Sequence, residues 1–210
     1  MKMRSSNIFI DILGVVGPLM IAAAAIWGNW LRAKLAPAKL IIEPHNLRGD
    51  PTIFGDSKSG QTTRVMFFHL KVVNKRPWLN VDNCRVLLKG LSRRGPDGGF
   101  YPVPMSIPIQ FVWAPAEITP PVVTVVKDQI IDLGFITEGN DKFFPRLFTY
   151  PNNFQGFVGK DEAVRYHMEI EGTNFASSRY QVFEVAWDGI WDYEPEKMQH
   201  HIRINEIKES

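Results

Sequence analysis

Val164-Arg165-Tyr166-His167-Met168-Glu169-Ile170-Glu171 alternates apolar and polar residues without a break. Successive side chains of a strand point to opposite faces. Val164, Tyr166, Met168 and Ile170 therefore share a dry face, and Arg165, His167, Glu169 and Glu171 a wet one. One dry and one wet face is the signature of an antiparallel sheet rather than of a buried parallel one. The same pattern recurs on both sides of this stretch. Over 81–89, Cys84, Val86 and Leu88 oppose Asn83, Arg85 and Lys89. Over 107–113, Ile107, Ile109, Phe111 and Trp113 point one way, and over 180–187 Phe183, Val185 and Trp187 oppose Glu184 and Ala186. Further strands are expected at 38–43, 64–74, 122–134 and 201–204, bounded by Gly, Pro, Asn and Asp. No window after residue 36 has a helical period. The expected fold is an all-β domain over 36–210, two antiparallel sheets packed face to face, with long loops at 92–105 and 134–160. Arg94-Gly95-Pro96-Asp97-Gly98-Gly99 reads as a hairpin tip.

His69-Leu70-Lys71-Val72-Val73-Asn74 ends a strand on an asparagine, and a short loop leads into Val81-Asp82-Asn83-Cys84-Arg85-Val86-Leu87-Leu88. This strand–Asn–loop–strand pattern over 64–89 resembles immunoglobulin-like modules of bacterial surface and membrane proteins, the cell-adhesion-related type included. The resemblance implies an Ig-like β-sandwich. It implies no particular function, because such sandwiches host many.

The chain begins differently. Residues 8–31 are 24 in number and, apart from Asp11 and Asn29, lack strongly polar side chains. As a helix they would reach about 36 Å, enough to cross a hydrocarbon core of roughly 30 Å. Pro18 is tolerated in such a helix. Trp27 and Trp30, then Arg32 and Lys34, stand where indoles and cations favour the membrane interface. A cleaved signal peptide is the rival account, with Lys2 and Arg4 ahead of the apolar run and Ala22-Ala23-Ala24-Ala25 as small residues. The apolar stretch exceeds the usual signal length. Residues 1–35 are accordingly read as a membrane anchor spanning a plasma (inner) membrane once. Four cations follow the span closely (Arg32, Lys34, Lys39, Arg48) and two precede it, which places the β domain in the cytosol.

The formal charge of +2 comes from the ends of the anchor; the rest of the chain carries one more acid than base. Only the pairs Lys75-Arg76 and Arg93-Arg94 cluster cations, so nucleic acid is not an expected partner. Cys84 is the single cysteine and sits on an apolar face, as a core residue would. No Gly-x-Ser-x-Gly, His-Glu-x-x-His or phosphate-cradling glycine motif occurs, and no cofactor is expected.

Two stretches could carry a site. Trp78 lies in the loop Lys75-Arg76-Pro77-Trp78, where a scaffold displays binding residues. Asp188, Asp192, Glu194 and Glu196, with His200 or His201, could hold a cation or perform acid–base work. Their plainer reading is a solvated loop turning at Asp188-Gly189, with Trp187 and Trp191 closing the sandwich end. The expected function is thus a membrane-tethered recognition or accessory module without catalysis, contacting another membrane-associated protein. The first alternative is a membrane-anchored hydrolase or metal enzyme using the acidic run. The second is a ligand sensor that signals by helix clustering and homo-oligomerises through Ala24 and Gly28. An incidental pair in an alanine-rich helix is the plainer account of those two residues.

Overall fold

The computed structural model describes residues 16–18, 20–22, 27–28, 38–55, 62–173, 175–177 and 179–208. The chain divides into two compact units, Met1–Ala38 and Lys39–Ser210. In the first unit, residues 16–18, 20–22 and 27–28 are helical. Most of the expected membrane span at 8–31 lies outside the described residues, as do Trp30, Arg32, Lys34 and Ala24. No helix among the described residues is long and apolar enough to cross a membrane.

The second unit is built from antiparallel strands in two sheets. The first sheet has the order β1-β2-β7-β8-β9, with β1 at Leu40–Gly55, β2 at Thr62–Asn74, β7 at Asp128–Thr137, β8 at Lys142–Pro145 and β9 at Val158–Gly159. The second has the order β13-β12-β10-β3-β4, with β3 at Val81–Arg94, β4 at Phe100–Val103, β10 at Glu162–Gly172, β12 at Gln181–Trp187 and β13 at Ile202–Ile207. Short strands complete it: β5 (Ile109–Gln110) and β6 (Val123–Val125) pair with β3, and β11 (Phe175–Ala176) with β10. One helical turn, Pro195–Met198, is the only helix among the described residues of this unit.

Alternation sets the core. Phe68, Leu70 and Val72 of β2 and Val164, Tyr166, Met168 and Ile170 of β10 are fully or almost fully buried. The Phe143 ring joins the two sheets, 6.1 Å from Phe68 and 6.5 Å from Tyr166 between centroids. A Cβ at Gly134 would collide with the Phe143 ring and the Phe144 carbonyl, so only glycine admits that ring. Cys84 is fully buried, and burial pushes its thiol up to about 12.

The exposed edge of β1 is closed by a side chain. Gln181 accepts from the Ile42 N–H at 2.6 Å and donates to the Ile42 carbonyl at 2.8 Å, filling the place of a neighbouring strand.

Three sequence expectations are corrected. Residues 107–113 form only a two-residue strand and two isolated bridges, because Ile107 is exposed and Val112 is buried along with Phe111 and Trp113. β4, β8 and β9 fill parts of the expected loops; they are too short for a visible period amid Gly and Pro. The first strand continues through Pro44 and Pro51 to Gly55, with irregularities at Pro44/Asn46 and Asn46/Asp50. Proline is admissible there because β1 is an edge strand. The hairpin tip at 94–99 is as expected: the Gly95 N–H donates to the Gly99 carbonyl at 2.7 Å, directly before the Arg94–Phe100 pair.

Candidate functional site

The outer face of the first sheet carries a cleft that neither sequence motif indicated. Its volume is about 380 Å³, and His69, Asp132, Asp50 and Arg146 are its principal polar walls. Two irregularities in strand pairing create it. Between Phe68 and His69 the register with β7 shifts, so that His69 stands directly opposite Asp132. The surplus residue, Leu133, turns fully into the core, and its carbonyl is taken by the Arg146 N–H at 3.0 Å. In β1 the shift between Asn46 and Asp50 carries Asp50 to the other side of the imidazole.

His69 is thereby set between two carboxylates. Its Nδ1 lies 2.8 Å from Asp132 Oδ1 and its Nε2 3.0 Å from Asp50 Oδ2. The Asp132 contact has a hydrogen-bond distance but not a hydrogen-bond direction, so the buried Nδ1 has no well-aligned partner. The Asp132 side chain is 7% exposed and that of Asp50 56%, so one carboxylate belongs to the wall and the other to the rim. Asn46 Nδ2 steadies the rim by donating to Asp50 Oδ1 at 2.7 Å. The buried Nε of Arg146 likewise has no hydrogen-bond partner, and its guanidinium lies 5.7 Å from the centroid of the Phe135 ring.

The floor is aromatic. Phe67 stacks on His69 at 6.3 Å, meets Phe54 edge-on at 5.7 Å and touches Phe135 at 5.4 Å. The row continues through Phe144 to Phe157. Ala114, Pro115, Ala116 and Glu117 form the opposing wall. An apolar hollow of this size with a few converging polar groups is the usual form of a binding pocket.

Trp78 is 58% exposed, as a displayed loop residue should be. Lys75 does not flank it as an open cation, because its Nζ pairs with Glu43 Oε1 at 2.6 Å. The Arg76 N–H is bound to Asn74 Oδ1 at 2.9 Å.

The acidic run is used largely in its own turns. Asp188 Oδ1 accepts the Ile190 N–H at 2.9 Å, with Gly189 at φ 87° between them, and Asp192 Oδ1 accepts the Glu194 N–H at 2.8 Å. Glu194 pairs with Lys197 at 3.0 Å, and Glu196 and His200 are exposed. Asp188 meets one of the two candidate histidines, His201, whose Nδ1 lies 2.9 Å from Oδ2. Burial works to raise the Asp188 carboxyl, yet the hydrogen bonds from His201 and Ile190 outweigh it and hold the group below its ordinary range. This pair sits in a second hollow of about 300 Å³ beside Arg94 and Glu162. Among the described residues no three His, Cys, Asp or Glu side chains are grouped as metal ligands would be. Trp187 is 2% exposed and closes the sandwich end, whereas Trp191 is only half-buried.

The chain matches no protein-family model, no curated protein and no solved structure.

Proposed function

We propose that this chain is a membrane-tethered recognition or accessory module, with an Ig-like sandwich behind a single N-terminal span, that contacts another protein of the same membrane and performs no chemistry itself. The observation that carries this reading is the aromatic-floored cleft beside His69. Asp50, Asp132 and Glu117 outnumber Arg146 around it, which suits a basic side chain laid over the faces of Phe54 and Phe67. A tether raises the effective concentration of a partner in the same membrane, so one shallow cleft suffices for capture. The domain is assigned to the cytosolic side of the plasma (inner) membrane on the cation count around residues 8–31.

The test is photo-crosslinking in native membranes with the full-length chain. A crosslinking amino acid at Thr52 or Glu117, on the cleft, should give an adduct with one and the same protein. The same group at exposed Asn205 of β13 should not. Absence of a cleft-specific adduct sinks the reading. Carbonate extraction tests the anchor separately. A cysteine at Ser210 in a Cys84→Ala background should be shielded from an impermeant maleimide in intact cells, and labelling there would reverse the topology.

The hydrolase alternative has one observation in its favour, the Asp188–His201 pair at 2.9 Å in its own hollow. It would replace the first reading if Asp188→Asn abolished a phenotype that the Thr52 and Glu117 positions left untouched.

A further inference from the structure

Lys39 opens the folded unit, and the Lys75 N–H donates to its carbonyl at 2.8 Å. Leu40 stands opposite Asn74 in the β1–β2 pairing. The loop over 75–80 is therefore at the end of the sandwich where the chain enters. The Val126 turn is at the same end, because Asn74 Nδ2 donates both to the Leu79 carbonyl, at 2.7 Å, and to the Val126 carbonyl, at 3.1 Å. Trp78 is 58% exposed and Val126 51%. Two apolar side chains displayed from neighbouring turns that are pinned by one buried asparagine are not loose surface residues.

Their surroundings are mixed but rich in cations. Lys39, Lys75 and Lys127 are exposed and Arg76 is half-buried. Glu43 takes up Lys75, Asp82 accepts a hydrogen bond from Thr124, and Asp128 is exposed beside Lys127. An indole at the tip with lysines behind it is the side-chain pair that membrane interfaces select. From Leu31 to Lys39 is eight residues, a reach of no more than about 29 Å even when fully extended.

We propose that this end of the sandwich docks on the bilayer that residues 8–31 enter, with Trp78 and Val126 inserted at headgroup level and Lys39 and Lys127 facing lipid phosphates. The proposal rests on the tethered reading above. It leaves the cleft on the outer sheet face for the protein partner.

The experiment uses the full-length chain in vesicles of phosphatidylcholine mixed with phosphatidylglycerol. All variants carry Cys84→Ala and one added cysteine bearing an environment-sensitive fluorophore. One is at Asn80, exposed beside Trp78; the other is at Tyr101, exposed on the hairpin at the opposite end. The label at residue 80 should be quenched several-fold more by headgroup-nitroxide lipid than the label at 101. The additional change Trp78→Ala should remove most of that difference while the circular dichroism spectrum stays that of the parent. Equal quenching at the two positions in protein that resists carbonate extraction overturns the docking and leaves the anchor standing. Protein released by carbonate overturns both. Shielding of the label at 80 in native membranes without lipid quenching in pure vesicles overturns the lipid assignment in favour of a protein contact.

Discussion

Asn74 holds the Leu79 carbonyl with its side-chain amide at 2.7 Å and so closes the loop that displays Trp78. The same side chain donates to Val126 and accepts from the Arg76 N–H, and only 4% of the residue is exposed. One residue thus satisfies three backbone groups where β2 turns into β3. Asn74→Ala should cost about 2 kcal/mol or more, since a buried backbone group left without its partner costs roughly 1–3 kcal/mol. Urea denaturation checks the cost. Hydrogen exchange at the Arg76 amide should accelerate in parallel; an unchanged rate would mean that water replaces the asparagine without loss.

Alkaline pH should destabilise the domain through two buried groups. Burial raises the Cys84 thiol to about 12, and burial raises the Tyr166 hydroxyl well above its ordinary value. A group whose pKa is higher folded than unfolded contributes stability that is complete below its unfolded pKa and is lost as pH climbs above it. Stability should be level up to about pH 9 and fall steadily toward pH 12, beginning with the thiol. Cys84→Ala should delay the onset of the fall. Tyr166→Phe should reduce it further up, while lowering the plateau by about 1 kcal/mol because the Gly156 carbonyl loses its 2.6 Å donor. A double variant that falls along the wild-type curve would place the alkaline transition elsewhere.

Trp187 ends β12 at 2% exposure, with its Nε1–H donated to the Ile190 carbonyl at 3.1 Å. Trp187→Ala should cost about 3–5 kcal/mol, the range for emptying a large aromatic site. It should also loosen the Asp188–Ile190 turn. A change under about 1 kcal/mol in the denaturant midpoint would remove Trp187 from the core.

The strands with sustained alternation were legible from sequence. The dry face of β10 is buried at each of its four expected positions, and Cys84 and Trp187 lie where their patterns put them. β8 and β9 were not legible, because strands of four and two residues hold too little period to stand out. Of the two adjacent histidines that the sequence offers, His201 and not His200 meets Asp188, at 2.9 Å, immediately before β13 begins at Ile202. The His69 cleft escaped notice for a deeper reason. His69 and Asp132 are far apart in sequence, and their meeting depends on a register shift that places one surplus residue, Leu133, in the core. Alternation shows which face a residue takes and not which residue stands opposite.

The contact of His69 with Asp132 decides whether the cleft is rigid before any partner arrives. The Asp132 carboxylate is 93% buried in its side chain's terms, being 7% exposed, and its distance to Nδ1 is 2.8 Å. A carboxylate so placed is costly unless a donor or a positive charge meets it. The direction of the Nδ1 contact is poor, whereas Nε2 reaches Asp50 at 3.0 Å on the rim. If proximity alone couples the pair, the cycle of His69→Ala, Asp132→Ala and the double variant should still give an interaction energy of about 1–2 kcal/mol, within the range for residues in direct contact. The stabilities are to be measured by chemical denaturation at neutral pH, with the aromatic row Phe54–Phe67–Phe135 left intact in every variant. His69→Ala should also reduce the yield of the crosslink from Thr52, because the stacked ring that flanks Phe67 is gone and Asp50 loses its 3.0 Å contact. An interaction energy near zero together with an undiminished crosslink would show that the two residues are neighbours without mutual effect. The recognition surface would then have to be sought away from this face of the sheet.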